Sequence, residues 1–554
     1  MNTIYKIYTD YKMYFKRRTQ REPPKAPNLL NHFITAGPES LEKLPNKPRG
    51  YLGQKGYTVM KNELTPEQQE ELKRELTAKP MTQGAVMTQA VHTFPVYRES
   101  DNKFYVPRYF GESYFGPHTK NKIPPGDDIS VQFMGDLRDH QKPVVKTYID
   151  HVGKYGSAGG CGLLELPCAA GKTVLSINII SVLRKKTLVI VHKEFLMNQW
   201  IERISQFLPS ARVGKIQGQI VDIENKDIVI GMLQSLSMKD YHGSMFDSFG
   251  LTIIDEVHHI SSEVFSCALF KIVTKYMLGL SATMNRKDGT TKIFKMFLGE
   301  VVYKGERDEQ HSVVVRAIDY VSNDEDFKEV VTDYRGQVQY STMITKLCGF
   351  NHRSEFILKV LVDLLRESSE KNIKQQIMIL AHNKNLLKYL YDAIDARNIA
   401  TVGYYVGGMK EAALKESETK KVIIATYSMA AEALDIKTLT TLIMATPKTD
   451  IEQAVGRILR EKHGSPIVVD IIDEHQPFKN QWSKRKTFYR KQNYKIIHSS
   501  NLNYNPDVRT WKVVYNPKVE AGGCAVSTND ESNEKNDLLQ GKCLISIKKK
   551  TEQK

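Results

Sequence analysis

Residues 163–173, Leu-Leu-Glu-Leu-Pro-Cys-Ala-Ala-Gly-Lys-Thr, run from an apolar strand into a tight turn, and the apolar stretch 174–183 behind them has helical character. A turn at a helix N-terminus presents backbone N–H groups to phosphate, so Pro167, Cys168, Ala169, Ala170 and Gly171 are expected to cradle a nucleotide. Lys172 would reach the β- and γ-phosphates and the Thr173 hydroxyl would ligate Mg²⁺. Leu166 stands where the full phosphate-loop pattern has glycine. Further on, Asp255 and Glu256 close the apolar run 251–254, which places two carboxylates at the end of a buried strand. Asp255 suits the metal shell, and Glu256 suits the polarisation of a water that attacks the γ-phosphate. Upstream, Gln141 offers a bidentate amide for adenine. Near the end of a second α/β pattern, Gln453, Gly456, Arg457 and Arg460 fall on one face at helical spacing, and two arginines there could neutralise charge on a transferring phosphoryl group.

These groups lie far apart in sequence, so two separate sets of elements must carry them. Val/Ile/Leu runs at 187–191, 227–230, 251–254 and 277–280 alternate with helical stretches. The pattern repeats at 376–380, 422–425, 442–445 and 467–471. Continuous apolar runs of this length mark strands buried on both faces of a parallel sheet. The polar stretches 306–310 and 323–326 place a hinge between the two sets.

Order and spacing resemble the superfamily 2 helicases of the DEAH/DEVH kind. Gln141 stands as the adenine motif, 167–173 as motif I, 189–193 through Gln199 and Trp200 as Ia, and 255–258 (Asp-Glu-Val-His) as II. Ser281, Ala282 and Thr283 stand as motif III, 377–382 as IV, 426–435 as V and 453–460 as VI. The Pro-Cys before Gly-Lys-Thr is similar to the xeroderma-pigmentosum-B type, and residues 94–111 with the compact length are similar to transcript-release helicases of poxviruses and other large DNA viruses. The resemblance implies an α/β fold of two tandem RecA-like parallel-sheet domains of the P-loop NTPase class, with ATP and Mg²⁺ as cofactors. It implies that Ser281, Ala282 and Thr283 couple hydrolysis to lobe movement and that Asp435 contacts the ribose. Movement along a strand from 3′ to 5′ is implied likewise. Where the family carries Arg-Glu-Asp this chain has Arg286-Lys287-Asp288, and the reversed charge at Lys287 keeps that element's strand-separating role from carrying over.

The expected division is an N-terminal accessory region (1–125), a first domain (126–305), a hinge (306–340), a second domain (341–480), a basic aromatic extension (481–518) and a disordered tail (519–554). In the accessory region Thr65-Pro66-Glu67-Gln68 predicts a capped helix. The arginines and aromatics of 94–111 could stack on bases, or could form a hairpin around Asp101-Asn102 with its aromatics packed inward. The extension leaves the same choice between a nucleic-acid surface and packing on the second domain.

With 79 Lys and Arg against 63 Asp and Glu, a net charge of +16 favours polyanionic partners. DNA comes first and RNA as the alternative, with RNA polymerase or transcription factors as protein partners. Six scattered cysteines form no Cys-x-x-Cys pair, which speaks against a disulfide framework or zinc ribbon. The sequence shows no secretory signal and no apolar run of membrane-spanning length, so an intracellular chain is expected; for a viral one this means the host cytoplasm or the virion. A catalytically decayed scaffold subunit would share the fold, but Lys172, Thr173, Asp255, Glu256, Arg457 and Arg460 are all present.

Overall fold

A computed structural model describes residues 49–79, 93–156, 159–167, 170–259, 262–284, 291–305, 312–432, 436–459 and 466–517. Cys168, Ala169, Asp435, Arg460, the 286–288 tripeptide and the 519–554 tail lie outside the described residues.

Two eight-stranded sheets form the frame. The first runs in the order Ile220–Val221, Val213–Gln217, Ile228–Met232, Thr187–Val191, Leu251–Ile254, Tyr276–Ser281, Cys161–Glu165, Val301–Lys304. All its pairings are parallel except that of the short edge strand Ile220–Val221. Leu188, Val189, Ile190 and Val191 have no exposed surface, as a strand covered on both faces requires. Helices Lys172–Leu183 and Glu194–Phe207 provide part of that cover.

The second sheet runs Val402–Tyr405, Val422–Thr426, Ile377–Ala381, Thr441–Met444, Ile467–Asp473, Val314–Tyr320, Lys495–Ser500, Lys512–Tyr515. Only its last strand is antiparallel. Two expectations change here. Val314–Tyr320, placed in the 306–340 hinge by its polar flanks, pairs along its length with Ile467–Asp473 and along most of it with Lys495–Ser500. Residues 481–517 of the extension are likewise built into this lobe. Helix Gln476–Lys491 sends Arg485 inward to a bidentate pair with Asp470 at 2.8 Å to each oxygen, and the Tyr489 hydroxyl donates to the same carboxylate at 3.0 Å. Trp511, Tyr489 and Tyr494 are core residues, so packing on the lobe describes them. Lys484, Arg490 and Lys491 stay exposed on the same helix.

The N-terminal region forms a four-stranded antiparallel sheet with helices Pro66–Glu75 and Arg108–Phe115. The capping box closes as predicted: Thr65 Oγ1 accepts from Gln68 N–H, and Gln68 Oε1 accepts from Thr65 N–H. Strands Arg98–Glu99 and Lys103–Val106 make the hairpin around Asp101-Asn102, with Phe104 fully buried. Arg108, 3% exposed, donates to the Gly159 carbonyl, and the Tyr109 hydroxyl bridges both backbone groups of Cys161. Inward packing is therefore the role of these side chains, and they clamp the region onto the first lobe beside its strand Cys161–Glu165. Among the described residues, no helix is long and apolar enough to cross a membrane.

Candidate active site

Parallel strands deliver their C-terminal ends to one edge, and the loops that leave that edge of the first sheet carry the candidate groups. Strand Cys161–Glu165 leads into the phosphate loop and helix Lys172–Leu183. Leu166 is 2% exposed, and its N–H donates to the Ser281 carbonyl at 2.8 Å. The residue that departs from the glycine pattern is thus a core side chain that ties the loop to strand Tyr276–Ser281.

Gly171 closes the loop at φ 77°, in the left-handed region. A Cβ there would stand 2.3 Å from Gln141 Nε2, so glycine is what admits the glutamine so close. Gln141 is 3% exposed; Nε2 donates to the Ala170 carbonyl at 3.0 Å, and Oε1 accepts from Arg138 N–H at 3.0 Å. The amide expected to read adenine is committed to the protein, where it braces the loop. Base recognition would require one of these bonds to be exchanged.

Lys172 Nζ stands 3.2 Å from Glu256 Oε1, with the two side chains 12% and 20% exposed. Strand Leu251–Ile254 places Asp255 beside Glu256, and Glu256 takes φ 48°, an uncommon value for a residue with a Cβ. Asp255 is buried, and its pKa is pushed up to about 6, first by desolvation and then by the Glu256 charge. The Trp200 indole and the Lys172 charge pull in the other direction.

His258 joins the two lobes. Ser281 Oγ donates to the Thr283 carbonyl at 2.5 Å and lies 2.7 Å from His258 Nδ1. A hydroxyl has one proton to give, so Nδ1–H must be the donor to Ser281 Oγ, and it also faces Glu256 Oε2 at 3.3 Å. The remaining ring nitrogen, Nε2, then accepts from Gln453 Nε2 of the second lobe at 3.1 Å. One chain of hydrogen bonds thus runs from Gln453 through His258 to Ser281 and on to the Thr283 carbonyl, and the His258 ring lies beside Glu256. A second contact between the lobes sits at helix Glu194–Phe207, where Asn198 donates to Glu411 at 3.2 Å and Phe195 packs against the apolar clusters of both lobes.

The helix expected to carry Gln453 to Arg460 runs only over Glu452–Gly456 and tightens into a 3-10 turn at Arg457–Leu459. Gln453 reaches the first lobe, while Arg457 Nε donates to the Ala430 carbonyl of its own lobe at 2.8 Å. Thr173 follows Lys172 in the helix and is half-buried, as are Pro167, Ala170, Ala282 and Thr283. Two functional neighbours escaped the sequence reading. His258 and Trp200 were grouped with motifs II and Ia but given no role, yet Trp200 is 1% exposed and donates to Asp255. The directness of 187–191 into 194–207 was a usable signal for Trp200, because a helix that follows a central strand must turn one face back onto the sheet.

Residues 134–286 match the family model described as "Type III restriction enzyme, res subunit". The chain is 36% identical over 456 residues to "Putative ATP-dependent RNA helicase L396" of Acanthamoeba polyphaga mimivirus, covering 80% of this chain and 85% of that protein. It is 30% identical over 387 residues to "Putative ATP-dependent RNA helicase QP509L" of African swine fever virus (isolate Tick/Malawi/Lil 20-1/1983), covering 66% of this chain and 75% of the relative. A shorter match of 169 residues at 31% identity, 30% of this chain and 36% of the other, is to "DNA 3'-5' translocase XPB2" of Sulfurisphaera tokodaii.

Proposed function

The chain belongs to the superfamily 2 helicases, alongside ATP-dependent helicases of large DNA viruses, and on that premise we propose that it hydrolyses Mg²⁺·ATP between its lobes to move 3′ to 5′ along a DNA strand. The observation that carries this is the Gln453–His258 bond across the lobes, with the His258 ring 3.3 Å from Glu256 Oε2, because it sets beside the hydrolytic carboxylate a group held by the other lobe.

Lys172 pairs with Glu256 at 3.2 Å, and the phosphates of ATP would compete for the same ammonium. Binding then releases Glu256 to orient water, while Arg457, with Arg460, answers the charge on the γ-phosphate after closure. Mg²⁺ fits the donor set. The Thr173 hydroxyl and the Asp255 carboxylate are hard oxygens, and burial first, then the Glu256 charge, hold the Asp255 pKa up, a strain that a cation would relieve. When bound, the cation would neutralise phosphate charge. Ser281, Ala282 and Thr283 connect the site to the lobe contact, and Gly171 and the flanking loop, 167–170, shape the phosphate cradle.

A duplex with single-stranded tails of each polarity, built in DNA and in RNA, tests the assignment through ATP-dependent strand displacement and stimulated hydrolysis. Glu256→Gln should lower turnover by a factor of about 10²–10⁴ with ADP affinity retained. An active Glu256→Gln protein sinks the mechanism. The names of the viral relatives favour a second reading, an RNA helicase; the sequence resemblance extends it to a transcript-release translocase that works with RNA polymerase or transcription factors. Stimulation by RNA tails alone would select it.

A further inference from the structure

Helix Glu194–Phe207 follows directly on the central strand Thr187–Val191, which lies beside the strand Leu251–Ile254 that leads into Asp255. Its inward face packs Leu196, Met197, Trp200 and Ile204 into the same cluster as Ile253 and Leu280. Within that apolar contact one polar group is aimed at the site: Trp200 Nε1 donates to Asp255 Oδ2 at 2.9 Å. The other carboxylate oxygen, Oδ1, accepts from Glu256 N–H at 3.0 Å. Two donors on two different oxygens fix the carboxylate plane and leave lone pairs on each oxygen for a further ligand. An indole supplies one N–H and no acceptor, so it cannot turn to compete for a cation. Its size also fills the space behind the strand, which holds the N–H in a single position.

We propose that Trp200 is a positioning residue, whose indole N–H sets the Asp255 carboxylate for the divalent cation that accompanies the nucleotide. This rests on the assignment of Asp255 to the metal made above. Because Trp200 is buried, it takes no part in contacts with a nucleic-acid backbone.

The experiment measures the affinity of the full chain for N-methylanthraniloyl-ADP in MgCl₂ and in EDTA; the ratio of the two is the metal increment. Trp200→Phe keeps an aromatic ring and removes the N–H. The increment should fall about tenfold or more, as expected for a hydrogen bond to a charged group, with affinity in EDTA unchanged within about twofold. Asp255→Ala should lose the increment, and adding Trp200→Phe to it should change nothing further. A full increment in Trp200→Phe overturns the proposal while Asp255→Ala still loses it. A full increment in Asp255→Ala overturns the metal assignment itself. If Trp200→Phe does not bind nucleotide in EDTA, the wild-type protein decides. Labelled with 5-fluorotryptophan and assigned through Trp482→Phe and Trp511→Phe, its Trp200 fluorine resonance should shift with Mg²⁺·ADP and not with ADP in EDTA. An unmoved resonance overturns the proposal.

Discussion

Replacing Asp473 by alanine should unfold the second lobe at a markedly lower temperature. Arg353, from helix Asn351–Glu370, reaches Asp473 with Nε at 2.5 Å and Nη2 at 2.9 Å, and its Nη1 donates to the Ala445 carbonyl at 2.8 Å. Neither side chain has any exposed surface. Removing the carboxylate strands a guanidinium charge in the core, and breaking a buried pair from one side costs about 3–5 kcal/mol. With about 2.1 cal/mol/K of unfolding entropy per residue over roughly 200 residues, about 4 kcal/mol corresponds to a drop of about 10 °C. The two tryptophans of this lobe, Trp482 and Trp511, report its transition by fluorescence alongside calorimetry. Arg353→Met with Asp473→Leu removes both charges and should recover at least about half of the loss, the residue being the Ala445 carbonyl left without its donor. A shift below about 3 °C in Asp473→Ala, or a double variant no better than the single one, would refute the view that a desolvated charge governs the effect.

Gln453→Ala removes the bond across the cleft and should lower nucleic-acid-stimulated kcat about two- to tenfold, the range of one net hydrogen bond; unchanged steady-state hydrolysis would show that lobe 2 is not sensed through His258. Asp255 has a folded pKa raised to about 6 from 3.8, so its favourable contribution to stability is present at low pH and lost as pH rises through about 6. Metal-free chemical denaturation should therefore show Asp255→Asn gaining on wild type by about 2 kcal/mol between about pH 4 and pH 8, and a gap that does not change with pH contradicts the burial argument. Arg108→Met should reduce thermal stability but leave the affinity for a single strand and its salt dependence as they are, because Arg108 is spent on Gly159; a smaller salt slope would return it to the nucleic-acid surface.

The central strands were legible because burial on both faces forces a continuous apolar run, as in 187–191 and 377–381. The phosphate loop and carboxylates were legible from their position after such runs. Val314–Tyr320 was not, because Arg316 interrupts it, and its justification is Glu367 on a distant helix, at 2.7 and 3.0 Å. Composition could not separate Arg485, sealed against Asp470, from Lys484 beside it, exposed to solvent. Gln141 was found by position, but its partner Ala170 depends on how closely Gly171 lets the loop approach. The role of Trp200 depended on which strand its helix covers, which is a property of sheet order.

The His258–Gln453 bond carries a thermodynamic obligation. Under the proposed mechanism, in which ATP and the strand both favour the joined lobes, the strand must bind more tightly to the ATP-loaded protein by the same factor by which it tightens ATP. A motor linked in this way cannot be given a stronger grip on its track without also changing its hold on its fuel, so variants selected for tighter strand binding should be sought among those that alter nucleotide affinity.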